Sequence, residues 1–133
     1  MSDLQTPTSR STSTTLIVCD DDTTLIRLRH YLERGGVRAR ATRLLQDAWR
    51  EAPRCAALVL MADDFDLREV AAGLYGLCSR SPTPFVIIVT SVRQHFEPTI
   101  QSFDHPESVV IIPKPAWGWT ILDLIRSRLP GQA

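Results

Sequence analysis

Five short apolar runs, each followed by a segment of helical period, constrain this chain more than any other feature. The runs occupy residues 16–19, 37–41, 57–62, 85–90 and 109–112. Those in the middle, such as Leu58-Val59-Leu60 and Val86-Ile87-Ile88-Val89, are apolar at consecutive positions. Successive side chains of a strand face opposite sides of its sheet, so such a run needs cover on both faces. Strands alternating with helices then predict a parallel sheet with helices on either side, a doubly wound α/β domain. The 133 residues suffice for one such core.

The intervening segments carry the helical stripes. Leu25, Leu28 and Leu32 share one face of a first helix, with Thr23 or Thr24 near its cap and Gly35-Gly36 ending it. Leu44, Leu45, Ala48, Trp49 and Ala52 form a second stripe, capped by Thr42 and stopped at Pro53. Leu67, Val70, Ala71, Leu74 and Leu77 form a third behind Asp66, a favoured cap residue. Trp117, Ile121, Leu124, Ile125 and Leu129 form the last, which puts Trp117 in the expected core. Segment 94–103 contains Pro98, tolerable only in the first turn of a helix, so a short or irregular element is expected there. Residues 1–14 are mostly Ser, Thr, Gln and Pro and read as a disordered tail. That leaves 15–133 as a single domain with no effector domain attached.

Composition argues against several classes of function. Fifteen basic and 15 acidic residues give a formal net charge of zero, and no basic stripe offers a footprint for nucleic acid. No apolar run approaches the roughly 20 residues that span a bilayer. The N-terminus has no basic region followed by an apolar stretch, so a cytoplasmic location is expected. Cys19, Cys55 and Cys78 lack metal-type spacing and read as reduced thiols in or beside apolar runs. His30, His95 and His105 share no ligand spacing, and no glycine-rich phosphate loop follows a strand.

In open α/β sheets ligands collect beyond the carboxyl ends of the strands. Asp20 and Asp21 follow the first run, Asp63 and Asp64 the third, Thr90 and Ser91 close the fourth, and Lys114-Pro115 follow the fifth. Carboxylates, a hydroxyl and one ammonium would meet at one sheet edge. That set suits Mg²⁺-assisted phosphoryl chemistry on an aspartate.

With these pieces in register with five βα units, the chain from Thr15 to about Leu129 resembles a response-regulator receiver domain of two-component signalling, of the CheY-like superfamily. The resemblance is carried by Leu16-Ile17-Val18-Cys19-Asp20-Asp21-Asp22, Val89-Thr90-Ser91 and Pro113-Lys114-Pro115. It implies a flavodoxin-like fold with sheet order 2-1-3-4-5 and phosphorylation of an aspartate at the end of the third strand. It implies that Asp20 is a direct Mg²⁺ ligand, and Asp21 could compensate for the missing first acid by a small shift, through a water. It further implies that Thr90 hydrogen-bonds the phosphoryl group, that Ser91 leaves room for it, and that Lys114 pairs with the phosphoaspartate ahead of a cis-Pro115 turn. A histidine kinase or a downstream effector is the implied partner, and homodimerisation through the fourth and fifth units is open to the fold.

Three positions depart from that pattern. In the ungapped match Cys19 falls at the first acid, and a thiol is a poor partner for a hard cation. Ala62 falls at the acceptor position, with Asp63 one residue late. One step along a strand advances a side chain about 3.3 Å and turns it to the other face. Asp63 is therefore expected in the loop, outside the pocket, unless a β-bulge near Met61 restores it as phosphoacceptor. Asp64 is further out. Ile111 stands where receivers carry the switch aromatic, three residues before the lysine. Trp119 lies off the last apolar stripe and is a candidate partner-binding anchor, since Trp is enriched at binding hot spots.

The leading expectation is a stand-alone, degenerate, non-enzymatic receiver-like module that acts through protein–protein interaction. The alternative is a working single-domain response regulator phosphorylated on Asp63, with Mg²⁺ at Asp20 and Asp21. Thr90 and Lys114 would then stabilise charge on the phosphoryl oxygens. A flavodoxin-like small-ligand domain is the third reading and rests on fold analogy.

Overall fold

The computed structural model describes residues 14–80 and 83–129. Strands β1 (Thr14–Val18), β2 (Arg38–Thr42), β3 (Ala57–Met61), β4 (Phe85–Val89) and β5 (Val109–Ile112) form one sheet in the order β2-β1-β3-β4-β5. All four pairings are parallel, so the doubly wound architecture and the order 2-1-3-4-5 are as expected. Thr14, read with the tail, is the first residue of β1, and its carbonyl accepts from the Ala56 N–H at 2.8 Å. The disordered tail expected before it lies outside the described residues.

Helices α1 (Asp22–Arg34), α2 (Leu45–Glu51), α3 (Leu67–Cys78), α4 (Glu97–Gln101) and α5 (Gly118–Arg128) cover the sheet. Strand alternation divides the apolar runs between two layers. Leu16, Val18, Leu58, Leu60, Val86 and Ile88 pack with Ala48 of α2, Val70 and Leu74 of α3 and Ile100 of α4. Ile17, Val59, Ile87 and Val89 pack on the other face with Leu25, Leu28 and Leu32 of α1 and Ile121 and Ile125 of α5. Leu58, Val59, Leu60, Val86, Ile87 and Ile88 are all 0% exposed. Each such side chain contributes about 1.5–3 kcal/mol of burial.

Helix starts follow local hydrogen bonding more than sequence pattern. α1 is capped by Asp21, not by Thr23 or Thr24. Its backbone is extended (φ −90°, ψ 113°), and its carboxylate accepts from the Thr24 N–H at 3.0 Å. Gly36, at φ 91°, takes the left-handed turn that carries the chain out of α1. α2 has no side-chain cap; Thr42 Oγ1 instead accepts from the Leu44 N–H just ahead of it, at 3.1 Å. Asp66 caps α3 as expected, accepting from the N–H groups of Arg68 and Glu69 at 2.9 and 3.1 Å. Segment 94–103 is the expected irregular element, a 3-10 turn (Arg93–His95) and the short α4 with Pro98 in its first turn.

Leu44, Leu67 and Trp117 were expected on buried stripes and are 61%, 39% and 59% exposed. Leu44 and Trp117 are cap residues with extended backbone, so helical spacing does not govern where they point. Leu67 is the first residue of α3, ahead of its buried stripe. Between α2 and α3 the Trp49 ring lies directly on Gly73, where a Cβ would come within 2.0 Å of it. β2 forms one edge of the sheet and alternates exposed Arg38 and Arg40 with buried Ala39.

Candidate functional site

β3 ends at Met61, paired with Val89 of β4. Ala62 continues from the strand end, is 2% exposed, and opens a 3-10 turn, Ala62–Asp64. At about three residues per turn, consecutive side chains of such a turn splay about 120° apart. The two acids accordingly go to opposite flanks. Asp63 reaches toward β4 and β5. One carboxylate oxygen accepts from Thr90 Oγ1 at 2.5 Å, and the other from the Ser91 N–H and Ser91 Oγ, both at 2.9 Å. Lys114 Nζ lies 3.7 Å from that second oxygen. Asp64 turns toward β1 and accepts from the Asp20 N–H at 3.0 Å.

The expectation that Asp63 would lie outside the pocket is therefore corrected. Ala62 does follow the strand end, but a tight 3-10 turn, not a bulge, carries the next side chain back to the sheet edge. Burial works to raise the Asp63 pKa. The hydrogen bonds from Thr90 and Ser91 and the Lys114 charge outweigh it, and the carboxyl sits below its ordinary value.

The remaining acids are directed elsewhere. Asp20 is exposed, and Arg43 approaches its carboxylate at 3.6 Å while donating from Nε to its carbonyl at 3.1 Å. Asp21, expected to lean toward a cation, accepts from both the hydroxyl and the N–H of Thr24, which hold its carboxyl below the ordinary range. The reason is local: an extended residue ahead of a helix meets orphaned N–H groups before it meets anything else. Cys19 is 1% exposed, and burial pushes its thiol up to about 11. A protonated, soft donor in the first-acid place does not suit Mg²⁺. Among the described residues no group of three or more His, Cys, Asp or Glu side chains is placed to hold a metal ion. Cys19 therefore does not supply the oxygen donor that the first-acid position would give a Mg²⁺ centre.

Thr90 is 1% exposed at the end of β4, and the Lys114-Pro115 bond is cis, as the resemblance implied. Beside Asp63 lies a cavity of about 200 Å³ lined by Thr90, Ser91, Arg93, Ile111, Pro113 and Lys114. Ile111 is part of its wall, where the resemblance would place an aromatic ring. A second cleft, of about 360 Å³, opens between α1 and α5 and is lined by Tyr31, Met61, Trp117 and Gly118 among others. Trp119 is 57% exposed nearby on α5.

Arg43 and Ser91 matter more than their residue types suggested. Arg43 follows the carboxyl end of β2, so its place beside Asp20 was readable from topology alone. Ser91, expected to act by being small, is a double donor.

The sequence matches no family model and no curated protein. Solved structures do resemble it. A response regulator from Thermotoga maritima superposes with a TM-score of 0.69 at 15% identity, over 90% of this chain and 98% of that one. A response regulator signal receiver domain from Bermanella marisrubri gives 0.68 at 16% identity, over 87% and 97%. A protein described as pilus assembly-related, from Burkholderia pseudomallei, gives 0.67 at 15% identity, over 92% and 93%. The chain thus has the receiver, CheY-like fold. No helix among the described residues is long and apolar enough to cross a membrane.

Proposed function

We propose that this chain is a receiver-fold interaction module of a two-component or phosphorelay-type pathway that works without a conventional phosphoaspartate switch. The observation that carries the reading is the dispersal of the acids at the sheet edge. Asp20 is met by Arg43, Asp21 caps a helix, and Asp64 binds the Asp20 backbone. Among the described residues no group of three or more His, Cys, Asp or Glu side chains is placed to hold a metal ion. Cys19 and Ile111 support the same reading, because each replaces a group that a phosphorylation switch would use. A pilus assembly-related protein resembles the chain as well as the response regulators do, so the fold does not by itself demand phosphotransfer. The module would act in the cytoplasm on a histidine kinase or downstream effector, with Trp119 as a surface anchor.

A second reading, Asp63 as phosphoacceptor, is favoured by its contacts with Thr90 and Lys114. Mass spectrometry after incubation with acetyl phosphate and Mg²⁺ separates the two. The interaction-module reading expects no adduct. A gain of one phosphoryl group that disappears in Asp63→Asn would overturn it. Trp119→Ala should leave folding intact and weaken binding of the partner kinase domain more than about tenfold. Unchanged affinity would remove Trp119 from the interface.

A further inference from the structure

We propose that the cleft between α1 and α5 is a binding site for a mononucleotide, with its base on Trp117 and Tyr31 and its phosphate on Arg27. The cleft measures about 360 Å³, and small-ligand pockets run from about 300 to 1,000 Å³. Such pockets combine an apolar lining with a few polar groups that fix orientation. Here buried Leu28 and Ile121 and partly buried Met61 supply the apolar floor. Two rings are available to a planar ligand, since Trp117 is 59% and Tyr31 42% exposed. The aromatic pair among the described residues is Tyr75 with Phe103, so neither ring is spent on another. Tyr31 lies against Gly118, where a Cβ would come within 2.9 Å of Cδ2 and 3.2 Å of Cγ. The positive-φ glycine among the described residues is Gly36, so position 118 needs a glycine for room and not for its backbone. A side chain there would displace the ring, and the glycine thereby fixes one wall of the cleft.

Arg27 sets the charge of the ligand. It is exposed on the cleft face of α1, and among the described residues no carboxylate lies within ion-pair distance of it. The hydroxyl of Thr24, one turn earlier on the same face, is already donated to Asp21. Arg27 is therefore the polar side chain left to meet a ligand. A guanidinium repels a cationic occupant from the aromatic surface and takes a phosphate bidentately. Bases stack on aromatic side chains whatever their identity, because every base has a π-face. A planar base joined to a phosphate thus answers both parts of the lining. The cleft shares no lining residue with the cavity beside Asp63. It does not rest on the interaction-module reading, and the acetyl phosphate result bears on that reading alone.

The test is chemical-shift mapping on the full chain, titrated with adenosine monophosphate, and with adenosine and inorganic phosphate as separate arms. The nucleotide should move the Gly118 amide and the Trp117 indole N–H saturably, with a Kd below about 1 mM. Adenosine should bind at the same resonances at least about tenfold more weakly, and phosphate alone at about 10 mM should leave them in place. Trp117→Ala, read at Gly118, should weaken the nucleotide at least about tenfold. Arg27→Gln should bring the nucleotide down to the affinity of adenosine. No saturable shift with the nucleotide at up to about 10 mM overturns the proposal. So does equal affinity for nucleotide and adenosine, nucleotide binding that survives either substitution, or phosphate alone reproducing the shifts. Both side chains are exposed, so folding should survive their replacement. Should Trp117→Ala not fold, Arg27→Gln decides: a nucleotide affinity equal to that of the unaltered protein overturns the site.

Discussion

Replacing Gly73 by alanine should destabilise the domain, although alanine for glycine inside a helix ordinarily stabilises by about 0.5–1 kcal/mol. The reversal comes from Trp49. A Cβ on Gly73 would sit 2.0 Å from Cε2, 2.3 Å from Cζ2 and 2.5 Å from Cδ2 of that ring, against 3.4–4 Å for ordinary contact. The ring would have to shift by more than an ångström, and the helix backbone behind it cannot give way. Leaving its seat on α3 exposes part of an aromatic surface that buries roughly 150–250 Å². Losing about 100 Å² at about 25 cal/mol per Å² costs about 2.5 kcal/mol. Against a propensity gain of about 1 kcal/mol, the net is a loss of about 1.5 kcal/mol, or about 5 °C in Tm. Gly76 lies in the same helix with nothing within 4 Å of its added Cβ, and provides the control. Gly76→Ala should stabilise by about 0.5–1 kcal/mol. Urea unfolding followed by far-UV circular dichroism reads both variants without relying on Trp49 fluorescence. If Gly73→Ala raises the midpoint as Gly76→Ala does, the reasoning about the Trp49 seat is wrong.

The three cysteines are buried, and burial raises their thiols, Cys19 and Cys78 to about 11. Iodoacetamide at about pH 8 should leave the folded protein unlabelled and modify all three in urea, and labelling of the native fold at free-thiol rates would contradict this burial. Asp63 has a folded pKa below its ordinary 3.8, so its contribution to stability is complete above that value and is lost as pH falls through the folded pKa. The stability gap between the protein and Asp63→Asn should stay level from about pH 7 to pH 5 and close under more acid conditions, as measured by urea midpoints; a gap that widens there would reverse the assigned sign.

The fold was legible because buried parallel strands leave an unmistakable trace: residues such as Val86-Ile87-Ile88-Val89 have no polar face to offer water. The Asp66 cap was legible for a similarly local reason, one acid ahead of a clear stripe. At the first helix, three acids and two threonines crowd a single turn, and only the backbone of Asp21 decides which of them caps. The site was harder. Asp63 and Thr90 lie 27 residues apart, and whether they meet depends on the chain taking a 3-10 turn after Met61 in place of an extended loop. That choice lies in a few backbone angles, which leave no periodic mark. Trp117 misled because its spacing to Ile121 is helical while its own backbone is not.

The arginines of β2 have a consequence for how the protein behaves in company. A sheet edge is a row of unpaired backbone groups that invites another strand. With a formal net charge of zero, the chain as a whole has no long-range repulsion to keep copies apart. Arg38 and Arg40 stand exposed along this edge, Arg40 paired with Glu51 at 3.0 Å, so a second molecule approaching it edge-on meets hydrated charged side chains before it can form a single ladder bond. That edge is thus guarded by two side chains that take no part in the core.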